Sequence, residues 1–181
     1  MEEKTLHYFR IKTECTVELP NGALAKKKIE ELVLAANYTE AEKITHALIS
    51  ALNRAQWGSV NYEIVKTKIS NVLFNDTFAQ EETVQGFCCN YFEEDENSGV
   101  GLYAVKVVFI TIDERTAKEK KTVEEYYVPA LSNADATDKI SKYLGKGMSD
   151  FVIRDAKFDK AEAIYWPLDV HKSKVEAFNL N

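Results

Sequence analysis

Lys26-Lys27-Lys28-Ile29-Glu30-Glu31 returns 94 positions later as Lys120-Lys121-Thr122-Val123-Glu124-Glu125. The match extends outward without a gap, Phe9–Ala36 running against Tyr103–Ala130. Identical along it are Lys12/Lys106, Ala23/Ala117, Lys26/Lys120, Lys27/Lys121, Glu30/Glu124, Glu31/Glu125 and Ala36/Ala130. Ile11/Val105 and Ile29/Val123 keep their apolar character. Self-similarity at a fixed spacing is the mark of a repeated structural unit.

The surroundings agree. Each copy opens on a predicted strand, residues 8–18 and 102–112, the second apolar on both faces (Val105, Val107, Val108, Phe109, Ile110). A turn follows, Pro20-Asn21-Gly22 in one copy and Asp113–Ala117 in the other, and an alternating strand returns. A helix comes next. Thr39 and Glu42 have the spacing of a capping box, and Ser132 with Asp135 opens the second helix, which stops at Gly145. Asn61–Phe74 and Asp150–Trp166 close the copies as extended segments. The expected fold is α+β: two tandem β–β–α–β units with antiparallel sheets, related by a pseudo-twofold axis. Residues 1–74 form the first unit, 75–100 a connecting segment with an acidic loop (Glu93–Gly99), and 101–181 the second unit with a polar tail. Val84–Phe92 is suited to an additional strand or to a segment adhering to the surface.

The chain has 181 residues, a formal charge of −6 and 45% apolar residues. That composition supports a globular core and argues against charge-driven coating of duplex DNA or anionic membranes. The start of the chain has no long apolar run, so neither a signal peptide nor a membrane anchor is expected there. Three cysteines, Cys15, Cys88 and Cys89, make no disulfide framework and no zinc spacing. A cytoplasmic protein follows as the expectation.

The aromatic first strand, the Lys-Lys-x-Ile/Val-Glu-Glu turn and strand, and Thr39-Glu40-Ala41-Glu42-Lys43-Ile44 together resemble an uncharacterised bacterial and bacteriophage family. Its members carry a domain-of-unknown-function label. Val107–Glu114, Lys118–Thr122 and Gly147-Met148-Ser149-Asp150-Phe151 carry the likeness through the second half, so it covers roughly residues 8 to 166. The resemblance implies a phage or mobile-element context and a bacterial host cytoplasm. It implies no catalytic residues.

No chemistry-bearing motif emerges from the residues themselves. Gly145-Lys146-Gly147 lacks the loop length and the Ser/Thr of a phosphate cradle. The acidic loop lacks a calcium-binding register. His7, His46 and His171 are dispersed, and Cys88-Cys89 has no neighbouring base. No catalytic residue, metal or cofactor is expected. Glu30-Glu31 and Glu124-Glu125 are the best carboxylate pairs, though adjacent strand residues face opposite ways, so only one of each pair can serve one face. Candidate binding residues are Lys26, Lys27, Lys106, Lys120, Lys121, Tyr126 and Tyr127, with Arg10 nearby. A tyrosine exposed among those cations would make a stacking platform for single-stranded nucleic acid. The leading expectation is a non-enzymatic protein that self-assembles or binds a host protein through a sheet surface or edge. The alternatives are a single-stranded nucleic-acid-binding accessory, and a protein that holds a small nucleotide and counters host defence.

Overall fold

The structure, a computed structural model, describes residues 6–66, 71–72, 82–84, 86–145 and 150–167. Its elements run β1 (His7–Glu18), β2 (Leu24–Ala35), α1 (Tyr38–Ala51), β3 (Asn61–Lys66), β4 (Asn71–Val72) and β5 (Glu82–Val84). Then follow β6 (Phe87–Tyr91), β7 (Gly101–Ile112), β8 (Glu119–Ala130), α2 (Asn133–Leu144), β9 (Asp150–Asp159) and β10 (Ala163–Pro167). The protein is α+β, with two sheets in the orders β3-β1-β2-β10-β6-β5 and β4-β8-β7-β9. Pairing is antiparallel except where β10 joins β2 and β4 joins β8.

Two compact units are drawn from interleaved stretches of chain. The first takes residues 1–68, 80–91 and 161–181; the second takes 69–79 and 92–160. Strands β5 and β6, from the expected connecting segment, and β10, near the end of the chain, thus complete the first sheet. Within each unit the same order recurs: a hairpin, a helix, and a strand returning to the hairpin's first strand, as β3-β1-β2 with α1 and as β9-β7-β8 with α2.

Both hairpins pair twelve residues on twelve, from His7↔Ala35 to Glu18↔Leu24 and from Gly101↔Ala130 to Ile112↔Glu119. The turns differ: residues 19–23 connect the first pair and 113–118 the second, one residue more. The ungapped alignment at 94 therefore fits β1 against β7 and slips by one along β2 against β8, where the true offset is 95. Glu30 corresponds to Glu125, and Glu31 to Tyr126. A slip of one residue exchanges the two faces of a strand, so this correction decides which side chains are comparable.

In the first unit α1 covers Phe9, Ile11, Val33 and Ala35 with Ala41, Ile44 and Leu48, while Cys89, Ala163 and Tyr165 extend that core. Helix α2 packs on β7, β8 and β9 and buries Ala136 and Ile140. The caps explain where each helix starts. Asn37, with extended backbone, accepts from Glu40 N at 2.9 Å, and Glu40 accepts in return from Ala36 N at 3.3 Å. The cap expected at Thr39 with Glu42 thus lies two residues earlier, because the Asn37 amide oxygen already reaches the orphan N–H and leaves Thr39 inside the first turn. Ser132 caps α2 as its spacing suggests: its hydroxyl accepts from Asp135 N at 3.1 Å, and Asp135 accepts from Leu131 N at 2.9 Å.

Candidate functional site

The first unit concentrates its buried polar chemistry beneath α1. Glu31 is 3% exposed and accepts two bonds of 2.6 Å from Arg54, in the turn after α1, and one of 2.7 Å from the Tyr165 hydroxyl. Burial opposes the guanidinium's charge, but the bonds and charge of Glu31 outweigh it and raise Arg54 above its ordinary pKa. Burial, then Glu31, pushes the Tyr165 hydroxyl up. Every carboxylate oxygen is occupied and the cluster is closed to solvent, so it locks the helix-to-strand connection onto the sheet and presents nothing to a substrate. Thr13, on the same face of β1 as Ile11 and Cys15, is 1% exposed, and its hydroxyl has no hydrogen-bond partner among the described residues. Arg54 and Tyr165 escaped the sequence reading, since nothing local distinguishes a lone arginine destined for burial.

The opposite face of β3-β1-β2 carries a groove of about 340 Å³. Two cross-strand rows line it, Glu63–Lys12–Glu30 and Asn61–Glu14–Lys28. Arg10 bonds Glu30 at 2.8 Å, and Lys26 lies 3.6 Å from Glu14. Three carboxylates against two ammoniums make a poor seat for a phosphate, so the groove offers little to a nucleotide.

The sequence-derived candidates are scattered by the fold. Lys26 pairs with Glu14 and Lys27 with Glu162, at 3.6 Å each. Lys106 is half-buried in mid-sheet. Lys120 and Lys121 stand exposed on β8. The exposed tyrosine is not found: Tyr126 and Tyr127 are 9% and 5% exposed, with hydroxyls donated to Glu124 at 2.9 Å and Glu125 at 2.8 Å. Their two faces are both covered at this level of the strand, so neither ring is free to stack on a base. His46 meets the Tyr62 hydroxyl at 2.8 Å, which also donates to Glu42 at 3.2 Å. Cys15, Cys88 and Cys89 are all buried and form no disulfide among the described residues. Among the described residues no cluster of His, Cys, Asp or Glu could hold a metal ion, and no helix is long and apolar enough to cross a membrane. His171, Lys146–Ser149 with the Gly147-Met148 motif, Ile69, Leu73, Phe74 and the tail after Pro167 lie outside the described residues.

The second unit shows something different. On the face of β9-β7-β8 turned away from α2, successive cross-strand rows read Asp155–Lys106–Glu125, Val152–Val108–Val123, and Asp150–Ile110–Lys121, ending at Ile112–Glu119. Val123, Val152 and Ile112 are 53%, 55% and 68% exposed. Val108 and Ile110 between them are half-buried. β-branched side chains placed side by side on adjacent strands form a continuous aliphatic surface, where isolated exposed apolar residues would mean little. The signal was present in the sequence: a strand apolar on both faces needs cover on both. The strand's outer edge, in contrast, is protected. Arg154 bulges out between Asp155, paired with Lys106, and Ile153, paired with Val107, and β9 carries alternating charges.

A family model described as a domain of unknown function (DUF4494) matches residues 7–168. The chain belongs to that family. No characterised protein matches it.

Proposed function

We propose that this is a non-enzymatic protein-interaction module that engages a protein partner through the aliphatic face of β9-β7-β8. The observation that carries the reading is the row Val152–Val108–Val123, open to solvent. Apolar centres with polar rims characterise protein interfaces. The rim here mixes Asp150, Glu119 and Lys121, which favours a protein of mixed charge over a polyanion.

Free cations on the β7–β8 tip support the alternative of single-stranded nucleic acid. Arg115, Lys118, Lys120 and Lys121 are exposed, and their side chains have no ion-pair partner among the described residues. Burial of Tyr126 and Tyr127 removes the stacking half of that design. The phage or mobile-element setting and a bacterial-cytoplasm location belong to the same proposal. So does the origin of the two modules by duplication, supported by the rows Glu63–Lys12–Glu30 and Asp155–Lys106–Glu125, which occupy equivalent sites with like charges.

The test is retention of proteins from bacterial cytosol on the immobilised full-length chain, compared with its Val123→Asp/Val152→Asp variant. A protein held by the first and released by the second, and bound again when purified, is the expected result. Equal retention by both would overturn the reading. Anisotropy of a labelled single strand should show no salt-sensitive binding; tight binding at low salt would favour the alternative.

A further inference from the structure

We infer that the partner on this face is a second copy of the same chain, packed sheet to sheet about a twofold axis running along β7. The inference rests on the proposed interaction face and adds its occupant.

The charge pattern across the strands argues for it. Asp150 on β9, Ile110 on β7 and Lys121 on β8 form one row. A twofold axis parallel to the central strand lays β9 of one copy over β8 of the other while keeping each row opposite itself. Asp150 then faces Lys121 of the second copy, and by symmetry the same pair forms on the other side. Ile110 meets its own counterpart between them. In the next row Val152 faces Val123 and Val108 meets Val108, so aliphatic side chains cover one another throughout. Both charged residues are exposed, and neither has an ion-pair partner within the described residues. The following row, Asp155–Lys106–Glu125, would set like charges together and so bounds the contact at that end. Residues Ile112 and Glu119 bound it at the turn.

An isologous contact requires a self-complementary patch. This one has opposite charges at the two ends of a row and an apolar middle, which is the simplest arrangement that a twofold axis can satisfy. Face-to-face sheets align their strands within about 30°, compatible with an axis along β7. Nucleic acid would meet Asp150 and Glu119 at the rim, and a partner of one charge sign would meet opposition from one end of the Asp150–Ile110–Lys121 row.

Sedimentation velocity of the full-length chain over a range of concentrations should report a monomer–dimer equilibrium. Asp150→Lys and Lys121→Asp should each weaken self-association by about tenfold or more, because each substitution replaces two attractive contacts with two repulsive ones. Mixing the two variants should restore the dimer, as a heterodimer: one copy presents two cations, at positions 150 and 121, and the other two anions. Val123→Asp should abolish association in every background. A wild-type chain that stays monomeric at high concentration overturns this inference. So does a dimer indifferent to all three substitutions, or variants that fail to recover on mixing. The interaction face itself would survive a monomeric result if the Val123→Asp/Val152→Asp variant still released another protein, so the two failures are distinguishable.

Discussion

Two rows of side chains cross each unit at equivalent positions, and the two units agree in one row and differ in the other. Glu63–Lys12–Glu30 in the first unit and Asp155–Lys106–Glu125 in the second keep their carboxylate–ammonium–carboxylate order. One row toward the turn, Asn61–Glu14–Lys28 becomes Val152–Val108–Val123. The same strand arrangement thus carries a polar, ion-paired surface in the first unit and an aliphatic one in the second. The contrast continues on the helix face, where Glu31, held by Arg54 and Tyr165, stands at the site of Tyr126, whose hydroxyl bonds Glu124. Residues 52–60 separate α1 from β3 and supply Arg54, whereas only 145–149 separate α2 from β9. At this position the first unit has an ion pair and the second a tyrosine.

The largest effect expected from disturbing this contrast is on stability. Arg54→Met would strand the Glu31 carboxylate in a site 3% exposed, leaving it only the Tyr165 hydroxyl. Breaking a buried pair from one side typically costs about 3–5 kcal/mol. Urea unfolding should show a loss of that order. Replacing both residues, Glu31→Tyr with Arg54→Met, imitates the second unit and should recover part of the loss; no recovery would mean that the cluster's worth lies in packing alone.

Exchanging the surface rows should move association while sparing the fold. Val108→Glu with Val123→Lys rebuilds the Glu14–Lys28 pair of the first unit on the second. Self-association should fall about 100-fold, roughly 2.7 kcal/mol. Unfolding stability should change by less than about 1 kcal/mol, because Val123 is more than half exposed and Val108 only half-buried. Association unchanged by this exchange would place the contact elsewhere.

A third exchange runs the other way. Thr13 and Val107 occupy equivalent positions, both essentially inaccessible to solvent, and the Thr13 hydroxyl is unsatisfied among the described residues. Thr13→Val removes a buried donor without changing shape and should stabilise the protein by about 1 kcal/mol, while Val107→Thr should destabilise it by about 1–3 kcal/mol. Paired thermal or urea midpoints would check both signs. A destabilising Thr13→Val would show that the hydroxyl holds a bond through buried water.

Much of the fold was legible because it depends on local patterns: alternation in β1 and β2, the Ser132 cap, the stop at Gly145. The register was less so. Lys26/Lys120 and Glu31/Glu125 align in sequence by a coincidence of lysine and glutamate runs, while the extra residue between Asp113 and Lys118 is invisible unless strand pairing is known. The site was half legible. Valines and isoleucines on both faces of β7 announced a second covered surface, but attention to Lys120, Lys121, Tyr126 and Tyr127 followed residue types associated with ligands. Whether Tyr126 stacks on a base or bonds Glu124 depends on what lies above it, and α2, with Tyr143 near that ring, is brought there by tertiary packing. Strand β10 joining β2 across more than a hundred residues has no local signature at all.

The two helix starts offer the finest comparison, since both end in an acid that returns to the residue before the cap. Glu40 receives Ala36 N at 3.3 Å, Asp135 receives Leu131 N at 2.9 Å, and only Asp135 is also paired, with Lys139 at 3.1 Å. Partial burial pushes the Asp135 carboxyl up, yet the Leu131 N–H and Lys139 overcome it and hold the pKa below the usual aspartate value. A carboxyl depressed in the folded state contributes its full stability above its unfolded pKa and loses it as pH falls through the folded one. The contribution of Asp135 should therefore be intact above about pH 5 and fade as pH drops below 4. Asp135→Ala should cost about 0.5–1 kcal/mol at neutral pH, with the difference from wild type shrinking as the solution is acidified toward pH 2. A difference that stays constant over that range would mean that Asp135 acts through geometry rather than charge, and the better-bonded cap of α2 would then owe nothing to Lys139.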